Sequence, residues 1–366
     1  MQLISCTSLI IMALLFILEL FKKNNLINEK ENRTTYSKFI VIIIACVLIF
    51  VSAFRFGFID TPGYRKMYQE IGSNVDMIFN NKYSIEIGFS ALLFLMNKIS
   101  SDSQLLLIIT SVIINALNIK TIYKYSEDVT LSLFLYFALI YMGTMNGIRQ
   151  SLAASVFILA FPWIEKRKTI RIIILIIILS TIHQTILILI PYYFLVRGKK
   201  LNIGILSLLV LAIVSLFATT QVYDFIKILL FKSEYSSYLD IQNNGMGAIR
   251  LMVEMVPCVL SLLYYKLIKS KKQNIKKNIE ILTNFSFVNL ANYIFAIKMV
   301  FFARISIYLS IFNIILIPIL INRIFVKKDM FYIKIIAFIL YGIYFYYQLK
   351  AYGFYLNSLI LIFKLL

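Results

Sequence analysis

Residues 170–196 read IRIIILIIILSTIHQTILILIPYYFLV, an apolar run whose middle holds the only histidine of the chain, His183. Cationic clusters bracket the run at residues 165–168 (EKRK) and 197–200 (RGKK). Such clusters beside membrane spans remain on the cytoplasmic side, so two cytoplasmic ends require the run to cross outward and return. The sequence therefore predicts a helical hairpin in the membrane, with His183 at its outer tip.

Each arm of this hairpin is short. Residues 172–182 and 185–196 would each extend about 17 Å, against a hydrocarbon core of roughly 30 Å. The tip is therefore expected below the outer surface of the membrane. The alternative is a single tilted helix with a polar histidine in mid-membrane, and an ionisable residue there would still be a functional candidate.

The composition of the whole chain indicates the fold class. Of its 366 residues, 61% are hydrophobic and 15% are charged, in long runs rich in Ile, Leu and Phe. A β-barrel needs strands of alternating polarity, whereas these runs are apolar on every face. We predict an all-α, polytopic integral membrane protein with about 11–14 transmembrane or re-entrant helices, forming a single transmembrane domain over residues 1–366.

The net charge of +20 does not indicate nucleic acid as a partner. The lysines lie in short loops beside apolar runs, as the positive-inside rule requires and as anionic inner-leaflet lipids favour. Cys6, Cys46 and Cys258 fall within apolar runs and lack the spacing of a zinc site or a disulfide framework. We expect neither a cofactor nor a bound metal.

Loop charge predicts an outer N-terminus and two long outer segments, at about residues 55–84 and 219–247. The charge rule is not satisfied in one region. If all four apolar stretches between residues 87 and 163 crossed the membrane, Lys166 would lie on the outer side. We therefore expect residues 87–99 to be re-entrant or interfacial, since runs of about 10–14 residues rarely span a membrane. The break MGTMNG at residues 142–147 then lets Arg149 begin a helix at the outer face.

Several arginines share the outer side on this topology. Arginine is disfavoured there, so its presence at helix ends calls for a function, although Arg55 and Lys298 are expected to be interfacial side chains. Guanidinium groups bind phosphate through paired donors, and a helix N-terminus adds partial positive charge. Arg149, Arg250 and Arg304 would suit a lipid-linked pyrophosphate if their helices begin there. Arg250 is alternatively the i, i+4 partner of Glu254 on one helix face.

Four short motifs resemble those of a known family. They are FGFIDTPGYRKMY at residues 56–68, EIGF at 86–89, IRQSLA at 148–153 and IHQT at 182–185, with a weaker echo at 304–308. In order and spacing they resemble the EpsG-like family of Wzy-type polymerases, which assemble O-antigen, capsule and exopolysaccharide repeat units. The resemblance covers roughly residues 50–200.

This resemblance implies a membrane glycosyltransferase with GT-C-like architecture on the outer face of the bacterial plasma membrane. The implied reaction transfers glycan from an undecaprenyl pyrophosphate donor to a sugar of another lipid-linked repeat unit. It requires a group that deprotonates or orients an acceptor hydroxyl, for which His183, Asp60 and Glu86 are candidates. It also requires stabilisation of the pyrophosphate, which we expect from Arg149 and Arg304 without a divalent metal. The remaining expected substrate contacts are Arg250, Arg65, Gln150, Tyr64 and Tyr68, since aromatic faces beside carboxylates suit sugars.

Two other functions fit the same features. A flippase for lipid-linked sugars would also have many helices and intramembrane charges, but the long outer segments and the absence of repeat symmetry argue against it. A membrane O-acyltransferase is the second, because a membrane histidine is typical of that class too. Expected partners are the undecaprenyl-pyrophosphate-linked oligosaccharide and membrane lipids, with a chain-length regulator and a flippase as further candidates.

Overall fold

The computed structural model describes residues 2–24, 35–55, 58, 60–72, 74–79, 85–217, 248–270, 275–299 and 301–351. Every regular element in these ranges is a helix, so the predicted all-α class is confirmed. The predicted outer segment at 219–247 lies outside the described residues, as do residues 56, 57, 59, 73 and 80–84 of the first outer segment.

The described part of residues 1–165 contains ten α-helices, numbered here in chain order: α1 (Gln2–Asn24), α2 (Thr35–Ala53), α3 (Thr61–Ile71), α4 (Asp76–Phe79), α5 (Ile87–Asn97), α6 (Gln104–Tyr125), α7 (Val129–Tyr136), α8 (Met142–Asn146), α9 (Ile148–Phe157) and α10 (Phe161–Glu165). The described helices that follow are α11 (Thr169–Ser180), α12 (Leu189–Val196), α13 (Ile203–Ser215), α14 (Ala248–Ser270), α15 (Lys277–Ala296), α16 (Phe301–Ile305), α17 (Ser310–Ile324) and α18 (Lys327–Ala351).

Four helical stretches in the described part of the chain are long and apolar enough to cross a membrane: Gln104–Tyr125, Val129–Asn146, Ala248–Ser270 and Lys327–Lys350. The bent pair α16 and α17 makes a fifth candidate, and six shorter apolar helices accompany them. The chain is thus a polytopic α-helical membrane protein. A 3₁₀ turn at Ser306–Tyr308 separates α16 from α17, and the chain bends by 59° between them.

The chain divides into two compact units. Unit 1 comprises Met1–Leu159, Thr181–His183 and Lys327–Leu366, and unit 2 comprises Ala160–Ser180 and Gln184–Val326. The single transmembrane domain over the whole chain stays a prediction.

In unit 1, α3 and α5 pack beside α6 through the buried side chains of Tyr68, Phe89 and Leu107. The sequence of α3 explains its ends. Pro62 lies in the first turn, where no amide donor is needed, and Gly72 terminates the helix with φ 49°. In unit 2, α14, α15 and α17 pack against one another, and the rings of Phe285 and Phe312 stack with centroids 4.0 Å apart.

The run that contains His183 folds back on itself as predicted. Thr181–His183 form a turn after α11, and a 3₁₀ helix at Gln184–Ile188 leads into α12. At the opposite end, Thr169 Oγ1 lies 2.9 Å from Tyr193 Oη and accepts a hydrogen bond from Arg197 at 3.2 Å. The run is therefore a hairpin, and the single tilted helix is excluded.

The predicted break before Arg149 is confirmed at Gly147, whereas residues 142–146 of the predicted break are helical. A π-helix at Phe137–Tyr141 joins α7 to α8, and Gly147, with φ −78° and ψ 68°, separates α8 from α9. Arg149 is the second residue of α9. Helix α5 has 11 residues and extends about 16 Å, too short to span a bilayer by itself. Its re-entrant placement stays a prediction.

Candidate active site

Glu86 is the centre of a largely buried cluster in unit 1. Its Oε2 accepts a hydrogen bond from Arg149 Nη1 at 2.5 Å, and its Oε1 lies 3.0 Å from His183 Nδ1. The side chains of Glu86 and His183 are each 12% exposed, and that of Arg149 is 22% exposed. Arg149 and His183, which follow Glu86 by 63 and 97 positions in the sequence, thus meet at its carboxylate.

The Glu86 carboxylate is available to these partners because a different group caps α5. Glu86 occupies the N-cap position, but its side chain makes no capping hydrogen bond. The amide of Phe89 donates to the carbonyl of Thr181 at 3.1 Å as well as to that of Glu86 at 3.0 Å. The Thr181 carbonyl, in the turn that carries His183, is thus a second acceptor for an amide in the first turn of α5.

Gly88 allows this turn to approach α5 closely. A Cβ atom at position 88 would overlap Thr181 Oγ1 and would lie 2.7 Å from the Thr181 carbonyl oxygen. Atoms in ordinary contact do not come so close, so no side chain fits between the helix and the turn. The EIGF motif was predicted from sequence without a role for its glycine, which is the residue that permits the contact.

The carboxylate also determines which nitrogen of His183 carries the proton. Glu86 forms an ion pair with the Arg149 guanidinium, and a carboxylate in such a pair only accepts hydrogen bonds. Neutral His183 therefore carries its proton on Nδ1 and its lone pair on Nε2. A carboxylate orients the general-base histidine of Ser-His-Asp sites in the same way. His183 can take up a proton at Nε2 while Glu86 stabilises the resulting positive charge.

Tyr64 connects this cluster with the start of α3, in the predicted outer segment. Its ring contacts the edge of Phe89 with centroids 6.1 Å apart, and the Arg149 guanidinium lies 5.9 Å from the Phe89 centroid. Burial raises the pKa of the Tyr64 phenol, Arg149 acts in the opposite direction, and Asp60 raises it further. Asp60 is exposed at the N-cap position of α3. Tyr64 is therefore a neutral hydrogen-bonding group near both charges.

Arg65 and Tyr68 hold α3 against the start of α6. Tyr68 is fully buried and donates to the Ser100 carbonyl at 2.6 Å. Arg65 donates to Ser103 Oγ at 3.1 Å and to Gln104 Oε1 at 2.7 Å. These contacts position the helix that carries Tyr64, and a direct contact of either residue with substrate stays a prediction.

Arg55 is buried, which corrects the expectation of an interfacial side chain. It is 5% exposed, its Nε donates to Thr61 Oγ1 at 3.0 Å, and its Nη1 donates to the Ser52 carbonyl at 2.5 Å. Its Nη2 is buried without a hydrogen-bond partner. Burial of a cation beside neutral partners is costly, and such a group favours a nearby anion. The sequence feature that could have indicated this burial is an arginine directly after an apolar run, on the predicted outer side.

Arg250 and Arg304 belong to unit 2. Arg250 Nη2 lies 2.7 Å from Glu254 Oε1, which confirms the alternative of an i, i+4 pair. Asn289 and Asn313 donate to the second oxygen of Glu254 at 3.0 and 3.1 Å. Arg304 is exposed in the last turn of the five-residue α16, so the expectation that its helix begins there is wrong. A role of either arginine in substrate binding stays a prediction.

The two asparagines of this network were not predicted from the sequence. Asn289 and Asn313 stand within apolar helices, and their amides are among the donors that satisfy the buried carboxylate of Glu254. Buried charges are tolerated when paired and hydrogen-bonded in this way. The sequence feature that could have identified both asparagines is a polar amide inside an apolar run.

Comparison with sequence models of protein families shows to which family the chain belongs. The sequence model of the EpsG family matches residues 38–361, which is most of the chain. The chain belongs to the EpsG family. This Wzy-like, polymerase-related family suggests a glycosyltransferase-like role in polysaccharide polymerisation. Comparisons with curated proteins and with solved structures give no match.

The EpsG-family match confirms the predicted resemblance and extends it. The motifs indicated residues 50–200, whereas the match continues to residue 361 and includes Arg250 and Arg304. Of the predicted catalytic residues, the structure brings Arg149 and His183 into direct contact with Glu86. Gln150 is buried next to Arg149 on α9.

We expect Gly88→Ala to lower polymer formation by about 10- to 100-fold, because displacing a catalytic group by about 1 Å costs this much. The added methyl group would push the Thr181 turn away from α5 and separate His183 from Glu86. The measurement is polymer yield in cells with matched protein levels. Gly63→Ala is the control, since nothing lies within 4 Å of a Cβ atom there. Equal yields from the two variants would contradict this role of Gly88.

Proposed function

We propose that this EpsG-family protein joins undecaprenyl-pyrophosphate-linked oligosaccharide repeat units on the outer face of the bacterial plasma membrane. The observation that supports the proposal is the contact of Glu86 with both His183 and Arg149. Glycosyl transfer from a lipid pyrophosphate needs a proton acceptor for the attacking hydroxyl and positive charge for the leaving group. The cluster contains one residue suited to each task.

His183 is the proton acceptor in this proposal. The acceptor hydroxyl oxygen forms a bond to the anomeric carbon of the donor glycan while its proton moves to His183 Nε2. The bond between that carbon and the pyrophosphate oxygen breaks, and the lipid pyrophosphate leaves with the electron pair. Glu86 stabilises the imidazolium through Nδ1, as a carboxylate does in other histidine-based sites. Asp60 and Tyr64 are proposed to orient the acceptor sugar, because both stand at the start of α3 and Tyr64 interacts with both Asp60 and Arg149.

Arg149 and Arg55 stabilise the leaving pyrophosphate. Arg149 uses Nη1 for Glu86 and remains 22% exposed, so part of its guanidinium group can contact a ligand. Arg55 contributes positive charge at long range, since its hydrogen-bond acceptors, Thr61 and Ser52, are neutral. Charge on fixed groups in a region of low dielectric stabilises a developing anion without a divalent metal. Arg304, Arg250 and Gln150 are the further proposed contacts.

A deletion strain tests this function by the length and location of its glycan. Loss of a polymerase leaves single repeat units on the outer surface, which gel electrophoresis of surface glycan and accessibility to an added glycosidase would show. A lost flippase would instead retain single units inside the cell. A lost O-acyltransferase would leave full-length polymer. Either of these two results would refute the proposal, and restoration of polymer by the wild-type gene is the control.

The proposed partners follow from the reaction. The substrate is the lipid-linked oligosaccharide, and a flippase must deliver it to the outer face before it can be joined. A chain-length regulator is a further proposed partner.

A further inference from the structure

A second site lies between α2 and α6, on a part of unit 1 that shares no residue with the Glu86 cluster. It is a groove of about 320 Å³. Val41 and Ala45 of α2 and Ala116 and Ile119 of α6 form its apolar walls. Ligand pockets usually have volumes of about 300–1,000 Å³, so the groove can hold a section of a lipid chain.

Small side chains open this groove between two helices that are otherwise packed together. Toward the other end of the pair, Ser52 Oγ and Ser111 Oγ lie 2.8 Å apart and hold α2 against α6. Ala45 and Ala116 stand where the helices pass the groove, and their methyl groups leave space that larger residues would fill. The groove is therefore a local consequence of two alanines in an otherwise close helix contact.

Two lysines line the same groove. Lys38 is near the first turn of α2 and Lys120 is near the last turns of α6, and both are exposed. Arg55 follows the opposite end of α2, 17 residues from Lys38, which corresponds to about 25 Å of helix. The lysine end thus belongs to the side that the positive-inside rule assigns to the cytoplasm. Anionic lipids of that leaflet attract lysines placed near the membrane surface.

We propose that this groove binds an anionic diacyl phospholipid of the inner leaflet, with an acyl chain between α2 and α6 and the phosphate at Lys38 and Lys120. An apolar slot that ends at two cations matches an acyl chain joined to an anionic headgroup. Tyr123 lines the same end and suits the interface between apolar and polar regions. This site does not depend on the proposed glycan reaction.

The competing occupant is the isoprenoid tail of a lipid-linked sugar. Its pyrophosphate would lie at the Glu86 cluster, which is on the Arg55 side of unit 1: Tyr64 interacts electrostatically with both Arg55 and Arg149. Arg55 itself is separated from Lys38 by about 25 Å of helix. An isoprenoid tail in the groove would therefore not engage the two lysines. Substitution of the lysines separates the two occupants, because only a phospholipid loses affinity.

Native mass spectrometry of the full-length protein in detergent tests the proposal. The probes are phosphatidylglycerol and phosphatidylcholine with identical acyl chains. We expect tighter binding of phosphatidylglycerol to the wild type. Lys38→Ser combined with Lys120→Ser should lower its affinity about thirtyfold, since one lysine near an anionic lipid is worth about fivefold. Ala116→Phe fills the groove and should remove the binding of both lipids at this site.

The matched control is Lys327→Ser with Lys328→Ser, two exposed lysines at the start of α18 in unit 1. This pair should leave the affinity for phosphatidylglycerol unchanged. Equal wild-type affinity for the two lipids would overturn the proposal, and so would equal losses in the two lysine pairs. Retention of phosphatidylglycerol in Ala116→Phe, with loss of a polyprenyl phosphate probe, would assign the groove to the isoprenoid and refute the proposal. If Ala116→Phe does not fold, Ala45→Leu reports on the same space.

Discussion

Glu86→Gln is expected to lower polymer formation by about 10²- to 10⁴-fold while the protein still inserts into the membrane, which is the usual contribution of general acid–base catalysis. The amide preserves the size of the side chain but carries no charge. It cannot stabilise an imidazolium at His183 Nδ1, which lies 3.0 Å from Glu86 Oε1. The measurement is the amount of polymer formed per molecule of protein in membranes supplied with lipid-linked repeat units.

His183→Ala should give the same loss, and the double variant should be no worse than either single variant. Residues that act as one catalytic unit show this non-additive pattern. Glu70→Gln is the matched control, since Glu70 pairs with Lys66 on the surface of α3 and should be dispensable. Multiplicative losses in the double variant would mean that Glu86 and His183 act in separate steps. Full activity of His183→Ala together with loss in Asp60→Asn would assign the proton transfer to Asp60.

Arg149→Ala is expected to abolish polymer and to destabilise the protein. The substitution leaves the Glu86 carboxylate largely buried without its cation, and breaking a buried pair in this way costs about 3–5 kcal/mol. The residual exposure of 12% and 22% makes the lower end of that range the expected value. Thermal unfolding in detergent measures the stability, and the polymer assay measures the activity.

Two further variants separate the stabilising role of Arg149 from its catalytic role. Adding Glu86→Gln to Arg149→Ala should restore part of the lost stability, because the unpaired charge is gone, but should not restore polymer. Arg149→Lys should retain the fold, since an ammonium group can still pair with Glu86, and should lose activity, because lysine lacks the planar fork that binds phosphate. Full activity of Arg149→Lys would show that phosphate recognition by paired donors is the wrong account.

The fold class, the histidine hairpin and the break before Arg149 were predictable because each depends on local sequence. Apolar runs and cationic flanks determine whether a segment is an apolar helix, and Gly147 interrupts the helix directly before Ile148 and Arg149. The bend of 59° between α16 and α17 was not predictable, since residues 301–324 form one nearly continuous apolar run. A 3₁₀ turn within such a run depends on what packs around it.

The candidate site was predictable as a set of residue types and only in part as a structure. Arginine and histidine in apolar surroundings, and a glutamate next to them, are rare enough to be recognised one by one. The burial of Arg55 and the role of Gly88 depend on contacts with other segments, Thr61 in one case and Thr181 in the other. Neither partner is indicated by spacing along the chain.

The sequence by itself determined that this is an α-helical membrane protein of the EpsG family, that residues 170–196 turn back near His183, and which polar side chains are unusual. Only the tertiary structure decided that Glu86 joins His183 to Arg149. Hydrogen bonds require atoms within about 3 Å of each other. Arg149 and His183 follow Glu86 by 63 and 97 positions in the sequence, so they reach that distance only when the segments that carry them pack in one arrangement. Gly88 and the Thr181 carbonyl provide that arrangement, because one removes a side chain and the other caps the helix at the point of contact.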